Sequence, residues 1–145
     1  MLRVVLDTSI FVSSLLVKEE LPAQVLDAWR ERQYLLIIFP SIIAEIRATL
    51  GYSSIRCKYG IVDEDVEQLV ALLEQDALLV AGEANVAGSI PEDPADEMVL
   101  ACAIDAQAGA IVSGDRHLLE LGSYQAISIL TARQFLERLG AGSSK

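Results

Sequence analysis

Residue types that carry several common chemistries are scarce in this chain of 145 residues. It contains two cysteines, Cys57 and Cys102, and a single histidine, His117. The cysteines lack the CxxC spacing and the neighbouring histidines of a zinc site, and they give no disulfide framework. With one histidine and no serine or cysteine paired with a base, the sequence also argues against a catalytic triad.

Long apolar runs and basic clusters are missing as well. No apolar run approaches the roughly 20 residues that a membrane-spanning helix needs, and residues 1–7 form a strand pattern ending in an acid, unlike a leader peptide. We therefore expect a cytoplasmic protein with no membrane association. Neither a GxGxxG motif nor a Walker loop occurs, so nucleotide-cofactor binding has no support. The net charge of -10 argues against nucleic-acid binding unless some of the acids hold cations.

Hydrophobic residues make up 52% of the chain and are spread over many short segments. A chain of about 150 residues fits one domain and can bury roughly 70% of its unfolded surface. We expect a single domain over residues 1–139. The glycine- and serine-rich segment 140–145 is expected to be a disordered tail.

Short apolar runs alternate with amphipathic runs along the sequence. The predicted strands are 2–6, 34–39, 78–80, 110–113 and 126–130. The predicted helices are 21–32, 41–50, 63–75, 96–108 and 116–121, with a last helix capped by Thr131 and Gln134. Residues 51–60 and 82–91 are predicted connectors. This alternation indicates an α/β fold with a central parallel sheet and helices on both faces.

Four acids are expected at one edge of this sheet. Asp7 and Asp115 directly follow the first and fourth predicted strands, Glu45 is placed in the first turn of the helix after the second strand, and Asp96 opens the 96–108 helix. Sites in open parallel sheets form at the carboxyl ends of strands. Clustered carboxylates repel one another, whereas hard divalent cations prefer oxygen ligands. The acids therefore predict a metal site that hydrolyses phosphodiester bonds.

Each acid taken alone also has a structural interpretation. Asp7 and Asp115 could be helix N-caps, and Glu45 could oppose a helix dipole. Asp93, Pro94 and Asp96 have the spacing of a helix start. The arrival of four acids at one predicted edge favours the metal site.

The motifs that contain these acids occur in a familiar order. They are Leu-Asp-Thr-Ser at 6–9, Pro-Ser at 40–41 with Ala-Glu-Ile at 44–46, Asp-Pro-Ala-Asp at 93–96, and Val-Ser-Gly-Asp-Arg-His-Leu-Leu at 112–119. This ordered set resembles the PIN-domain nucleases. Residues 129–136 resemble the close of the branch of that family that comprises toxins of toxin–antitoxin systems.

The resemblance implies a three-layer α/β/α sandwich, a Mg²⁺ or Mn²⁺ site and cleavage of single-stranded RNA by in-line attack of water. Asp7, Glu45, Asp96 and Asp115 correspond to the family's acidic quartet, with Asp93 and Glu97 as alternatives to Asp96. Thr8, Ser9 and Ser113 correspond to small polar positions that orient ligands or waters, although many relatives have Asn at the position of Ser9. The resemblance also implies an antitoxin partner, and the large apolar fraction suggests a homodimer.

Basic and aromatic side chains are the candidates for substrate binding. Arg116 could face phosphate or form an ion pair with Asp115. Arg47, Arg56, Lys58 and Tyr59 could follow an RNA backbone, with Tyr59 stacking on a base. A solvated loop and helix face explains these four residues equally well. His117 is interpreted mainly as an ordinary surface residue.

Three alternative functions remain open. A receiver-like signalling domain also groups acids with magnesium, but it needs an aspartate after a middle strand, where this chain has Ala81-Gly82, and a lysine after a late one. A haloacid-dehalogenase-type phosphatase requires Asp-x-Asp after the first strand, where this chain has Asp7-Thr8-Ser9. A non-catalytic PIN-like scaffold would be expected to lack an acid of the quartet.

Overall fold

The computed structural model describes residues 2–16, 20–80 and 94–143. In these ranges the strands are β1 (Arg3–Leu6), β2 (Leu35–Ile38), β3 (Leu78–Leu79), β4 (Ala110–Val112), β5 (Ser123–Tyr124) and β6 (Ile127–Leu130). The helices are α1 (Thr8–Leu16), α2 (Leu21–Arg30), α3 (Pro40–Leu50), α4 (Ser53–Tyr59), α5 (Asp63–Asp76), α6 (Pro94–Asp105), α7 (Arg116–Leu121) and α8 (Ala132–Ser143).

The strands form one sheet in the order β3-β2-β1-β4-β6-β5, parallel throughout except for β5, which is antiparallel to β6. β1 lies at its centre: Val5 is in register with Ile37 on one side and Ile111 on the other, and all three side chains are fully buried. Strands buried on both faces give continuous apolar runs instead of alternating ones. The predicted mostly parallel sheet is confirmed.

Helices cover the sheet in two layers. Helix α1 contacts α2 and α3, and α2 contacts α8, so these four helices form one layer. Helix α6 packs against β1 and β2. Helix α6 lies in the connection that crosses back from β3 to β4. A right-handed crossover places this helix on the opposite face of the sheet. The protein is a three-layer α/β/α sandwich, as predicted.

Helix α6 is buried almost all round, as its sequence predicts. Five consecutive residues, 99–103, are each at most 5% exposed. Alanine and cysteine side chains among them allow the helix backbone to lie close to the sheet. On the other face, the Tyr34 ring meets that of Phe135 edge-on at 5.0 Å, and its hydroxyl donates to the Val25 carbonyl oxygen at 2.7 Å. None of the helices in the described ranges is long and apolar enough to cross a bilayer.

Two helices differ from the sequence-based prediction. Residues 51–60, predicted as a connector, contain α4, which ends where Gly60 adopts a left-handed conformation with φ 65° and donates its N–H to the Arg56 carbonyl. Among the described side chains of this helix, only Ile55 packs against the core, so no apolar periodicity marks it. In helix α1, which the sequence did not predict, hydroxyl residues are scattered around the axis among apolar ones, so no periodic signal marks it either.

Predicted boundaries shift where helix ends are capped. The helix predicted over 21–32 ends at Arg30, because Arg32 turns to φ 62° and the Gln33 N–H donates to the Ala28 carbonyl. The helix predicted over 96–108 begins at Pro94 and ends at Asp105, and Gln107 takes the same left-handed conformation. At the end of α2, the hydrogen bond from Gln33 to Ala28 and the left-handed Arg32 form a Schellman motif without the usual glycine.

The last helix begins at its predicted cap but is longer than predicted. The capping box of Thr131 and Gln134 is confirmed by reciprocal hydrogen bonds of 3.0 and 3.1 Å. Helix α8 continues to Ser143, into the segment predicted as a tail, because Leu136 and Leu139 pack against the core and extend the helix past Gly140. The predicted loop 82–91 lies outside the described residues.

The β5–β6 turn provides a test of backbone strain. Gln125 and Ala126 both have positive φ, 48° and 69°, the conformation of a hairpin turn that favours Asn-Gly. Ala126→Gly should therefore stabilise the protein by about 0.5–1 kcal/mol, measured by chemical denaturation. Ala48→Gly, at an exposed position inside α3, is the matched control and should destabilise by about 1 kcal/mol. Equal destabilisation by both substitutions would contradict the strained turn.

Candidate metal centre

Asp7, Glu45 and Asp115 lie near the point where the chain reverses its direction across the sheet. From β1 the chain moves outward to β2 and β3, and it then crosses back to β4 on the other side of β1. Such a switch point leaves a crevice at the carboxyl ends of the two central strands. The Asp7 N–H donates to the Val112 carbonyl at 3.0 Å, which fixes Asp7 at this crevice.

Asp7 is a buried carboxylate held by hydroxyl groups. It is 8% exposed, and its Oδ2 accepts hydrogen bonds from Ser113 Oγ at 2.6 Å and from Ser9 Oγ at 3.3 Å. Ser113 is fully buried, and its Oγ also accepts the Asp115 N–H at 2.8 Å. One hydroxyl therefore connects Asp7 to the backbone of Asp115.

The electrostatics of Asp7 favour a cation beside it. Burial raises the pKa of Asp7 above 3.8, and the negative charge of Asp115 raises it further. Hydrogen bonds from Ser113, Ser9 and the Thr8 backbone oppose this rise without overcoming it. A positive ion in the crevice would stabilise the ionised form.

Glu45 joins the group through Thr8. The buried Thr8 hydroxyl donates to Glu45 Oε2 at 2.9 Å. The prediction that Glu45 lies in the first turn of its helix is wrong: α3 begins at Pro40, so Glu45 lies in the second turn. The first turn is where a carboxylate interacts best with the helix dipole, so the dipole explains this residue less well than a site does.

Asp115 serves as the N-cap of α7. Its Oδ1 accepts the backbone N–H groups of His117 at 2.8 Å and Leu118 at 3.4 Å. The His117 Nδ1 lies 3.7 Å from the same oxygen. The structural interpretation of Asp115 is therefore correct, and it coexists with the connection to Asp7 through Ser113.

The fourth acid is located only by its backbone. Asp96 is the third residue of α6, and Glu97 follows it, but the side chains of both lie outside the described part of the chain, as does Asp93 altogether. Among the described side chains, no three His, Cys, Asp or Glu groups are close enough to hold a metal ion. The oxygen donors of Asp7, Glu45 and Asp115 nevertheless fit a hard divalent cation by type, and a further carboxylate from α6 would complete such a set.

The predicted substrate-binding cations have partners within the fold. Arg47 forms an ion pair with Glu67, and Arg116 lies 3.7 Å from Glu120. Arg56 donates to the Leu50 carbonyl at 3.0 Å and pairs with Asp63 at 2.5 Å, so it joins the end of α3 to the start of α5. Lys58 lies over the Tyr59 ring, 5.4 Å from its centroid. Their role in substrate binding stays a prediction, and these contacts favour a structural role for Arg56.

Among known protein families, the model described as PIN domain matches residues 3–117. The chain belongs to the PIN-domain family. The match runs from β1 into α7 and includes Asp7, Glu45, Asp96 and Asp115. PIN domains are generally nucleases and typically use divalent metals, which supports a hydrolase with a nuclease-type fold. No curated protein matches the chain significantly.

The raised pKa of Asp7 predicts that this carboxyl lowers the stability of the metal-free protein as pH rises. A carboxyl whose folded-state pKa is raised contributes stability that is present below its unfolded-state pKa and lost as pH rises through the folded-state value. Asp7→Asn should therefore be more stable than the parent at neutral pH in chelator. The difference should shrink as pH falls toward 3.8.

Denaturant titrations across this pH range provide the measurement, with Asp27→Asn at an exposed position of α2 as the control. A metal-free Asp7→Asn protein that is less stable than the parent at neutral pH would show that the ionised carboxylate is satisfied without a cation.

Proposed function

We propose that this protein is a Mg²⁺- or Mn²⁺-dependent endoribonuclease that hydrolyses single-stranded RNA. One observation carries the proposal: three acids from separate elements lie near the switch point, where the Thr8 hydroxyl donates to Glu45, and the Ser113 hydroxyl donates to Asp7 and accepts the backbone N–H of Asp115. Asp7 is buried beside the negative charge of Asp115, an arrangement that a cation would stabilise. Membership of the PIN-domain family supports the same chemistry.

The side chains have separate tasks in this proposal. Asp7, Glu45 and Asp115, with Asp96 from α6, would hold the ion. Ser113 and Thr8 fix the rotation of the Asp7 and Glu45 carboxylates by hydrogen bonds, which leaves less ordering to be done when an ion binds. When bound, such an ion supplies Lewis-acid polarisation of the phosphate and activates water at neutral pH.

Net charge constrains how RNA approaches. At -10 the chain repels a polyanion, but two divalent ions at the acids would neutralise four negative charges where the phosphate must lie. Arg116, next to Asp115 in sequence and 79% exposed in its side chain, can contact phosphate if it leaves Glu120. Exposed ion pairs of this kind are weak, so the rearrangement costs little.

We further propose that the ribonuclease is the toxin of a toxin–antitoxin pair and that it forms a homodimer. Exposed leucines near one sheet edge support association: Leu35, Leu78 and Leu79 are 42%, 46% and 61% exposed. An antitoxin segment that covers the crevice could place an arginine on the acids. This would compensate the buried charge of Asp7 in place of a metal.

The metal requirement is the central test. RNA cleavage should require Mg²⁺ or Mn²⁺ and stop in chelator, and Asp7→Asn or Asp115→Asn should reduce it by roughly 100-fold or more, because the loss of a ligand exceeds the 10- to 100-fold effect typical of its supporting residues. Asn caps a helix as well as Asp does, so both variants should remain folded. Full cleavage by clean protein in excess EDTA would exclude this mechanism, and a parental rate for Asp7→Asn would exclude this site.

The same assay assigns the acid of α6. Asp96→Asn and Glu97→Gln change one charge each at adjacent positions, and only the ligand should lose both cleavage and the rise in melting temperature that metal binding produces. We expect Asp96→Asn to be the inactive member of the pair. Metal binding without cleavage of any RNA would instead favour a non-catalytic PIN-like protein.

The dimer is tested by light scattering. We expect the mass of two chains at high concentration, and a shift toward one chain in a Leu78→Lys, Leu79→Lys double variant, because the charges oppose burial of this edge. Ser123→Lys, on the strand at the other edge of the sheet, is the control. A parent protein that stays monomeric at high concentration would contradict the prediction.

A further inference from the structure

A second cleft lies at the amino-terminal ends of the parallel strands, whereas the acids lie at the carboxyl ends. It is a cleft of about 470 Å³ between the end of α2, the first residue of β2 and the end of α5. Its lining includes Trp29, Arg30, Arg32, Leu35, Leu72 and Asp76. We call it the arginine cleft. Leu35 begins β2, whereas Asp7 follows the last residue of β1, so the cleft and the acids lie at opposite ends of parallel strands.

Two arginines of the arginine cleft, Arg30 and Arg32, have no partner among the described residues. In the described parts of the chain, neither Arg30 nor Arg32 makes a side-chain hydrogen bond or an ion pair, whereas Arg47, Arg56 and Arg116 each pair with an acid. A guanidinium group offers a planar set of donors that matches the oxygens of phosphate.

The backbone at Arg32 adds a second observation. Arg32 occupies the left-handed position of the Schellman motif at φ 62°, where glycine is favoured. The Arg32 side chain therefore lies at a position where the backbone conformation disfavours any side chain. Arg30 has an ordinary structural role as well, since a cation in the last turn opposes the dipole of α2. Arg32 lies beyond the end of α2, so an interaction with the helix dipole does not explain it.

The remaining lining defines the rest of the ligand. Leu35 is 42% exposed and offers an apolar surface, while the Tyr34 hydroxyl already donates to Val25 and is not available. The Asp76 carboxylate can accept a hydrogen bond from an amino or hydroxyl group and disfavours a ligand with many negative charges. The volume lies within the range of about 300–1,000 Å³ that is usual for small-molecule sites.

We propose that the arginine cleft binds a nucleotide through a single phosphate group held between Arg30 and Arg32. The base or sugar would pack on Leu35 and Leu72, with a donor directed to Asp76. The phosphate could belong to a free mononucleotide or to the phosphorylated end of an RNA fragment. The proposal is independent of the ribonuclease activity proposed above.

Trp29 is the single tryptophan of the sequence and lines the cleft, so its fluorescence reports binding directly. Adenosine monophosphate, titrated to millimolar concentration in EDTA, should change this fluorescence in a saturable way, and adenosine should not. Arg30→Gln and Arg32→Gly should each weaken binding roughly tenfold to a hundredfold, as for the loss of a charge-assisted hydrogen bond. Arg133→Gln, on the exposed face of α8, should leave binding unchanged.

Arg32→Gly separates binding from folding, because glycine relieves the left-handed conformation and should raise the melting temperature while affinity falls. A second arm uses a short oligoribonucleotide with and without a terminal phosphate: tighter binding of the phosphorylated strand than of the mononucleotide assigns the cleft to RNA ends. Asp7→Asn should bind adenosine monophosphate like the parent, so the outcome does not depend on the acids. No fluorescence response to either phosphate ligand, or equal affinity in the parent and both arginine variants, would overturn the proposal.

Discussion

A carboxylate buried at the centre of the sheet is the constraint on which the rest of the crevice depends. Asp7 follows a strand that has parallel neighbours on both sides, so water cannot solvate it from the strand edges. Burying such a group is costly unless hydrogen bonds and charge compensate it. Ser113 supplies a hydroxyl from the neighbouring strand end, and the same oxygen accepts the N–H of Asp115. The position of the second acid thus follows from how the first is satisfied.

Strand ends and acids could be predicted from the sequence, whereas their partners could not. Asp7 and Asp115 each follow a short apolar run, and the geometry of parallel sheets places such residues at one edge. The turn of α3 that carries Glu45 depended on whether the helix begins at Pro40 or Ser41, and periodicity does not resolve one residue. Helices α1 and α4 escaped prediction because neither has a periodic apolar face: Thr and Ser residues are scattered around α1, and α4 has almost no apolar face. The pairing of Arg56 with Leu50 and Asp63 is a tertiary contact that local pattern does not encode.

Arginines that form ion pairs within the protein reduce the basic surface that is available to bind a polyanion. Arg47 of α3 and Arg56 of α4 form ion pairs with Glu67 and Asp63 of α5. These two arginines therefore do not form a free basic surface. Under the proposed function, attraction for phosphate would reside in bound ions, so the affinity for RNA should depend more on the concentration of those ions than on basic side chains. Released counterions, which drive most protein–RNA association, would contribute less than they do for a basic protein.

The crevice joins segments that are far apart in the chain. The hydrogen bond between Ser113 and Asp7 spans 106 residues, and β1 gains its second neighbour only when residues 110–112 are in place. Contacts of such sequence separation form late and slow folding, because a long loop must close first. During synthesis at about 5–20 residues per second, the growing chain would carry Asp7 and Glu45 for several seconds before the acids could assemble. Within the fold described here, the order of translation itself delays the assembly of the acids.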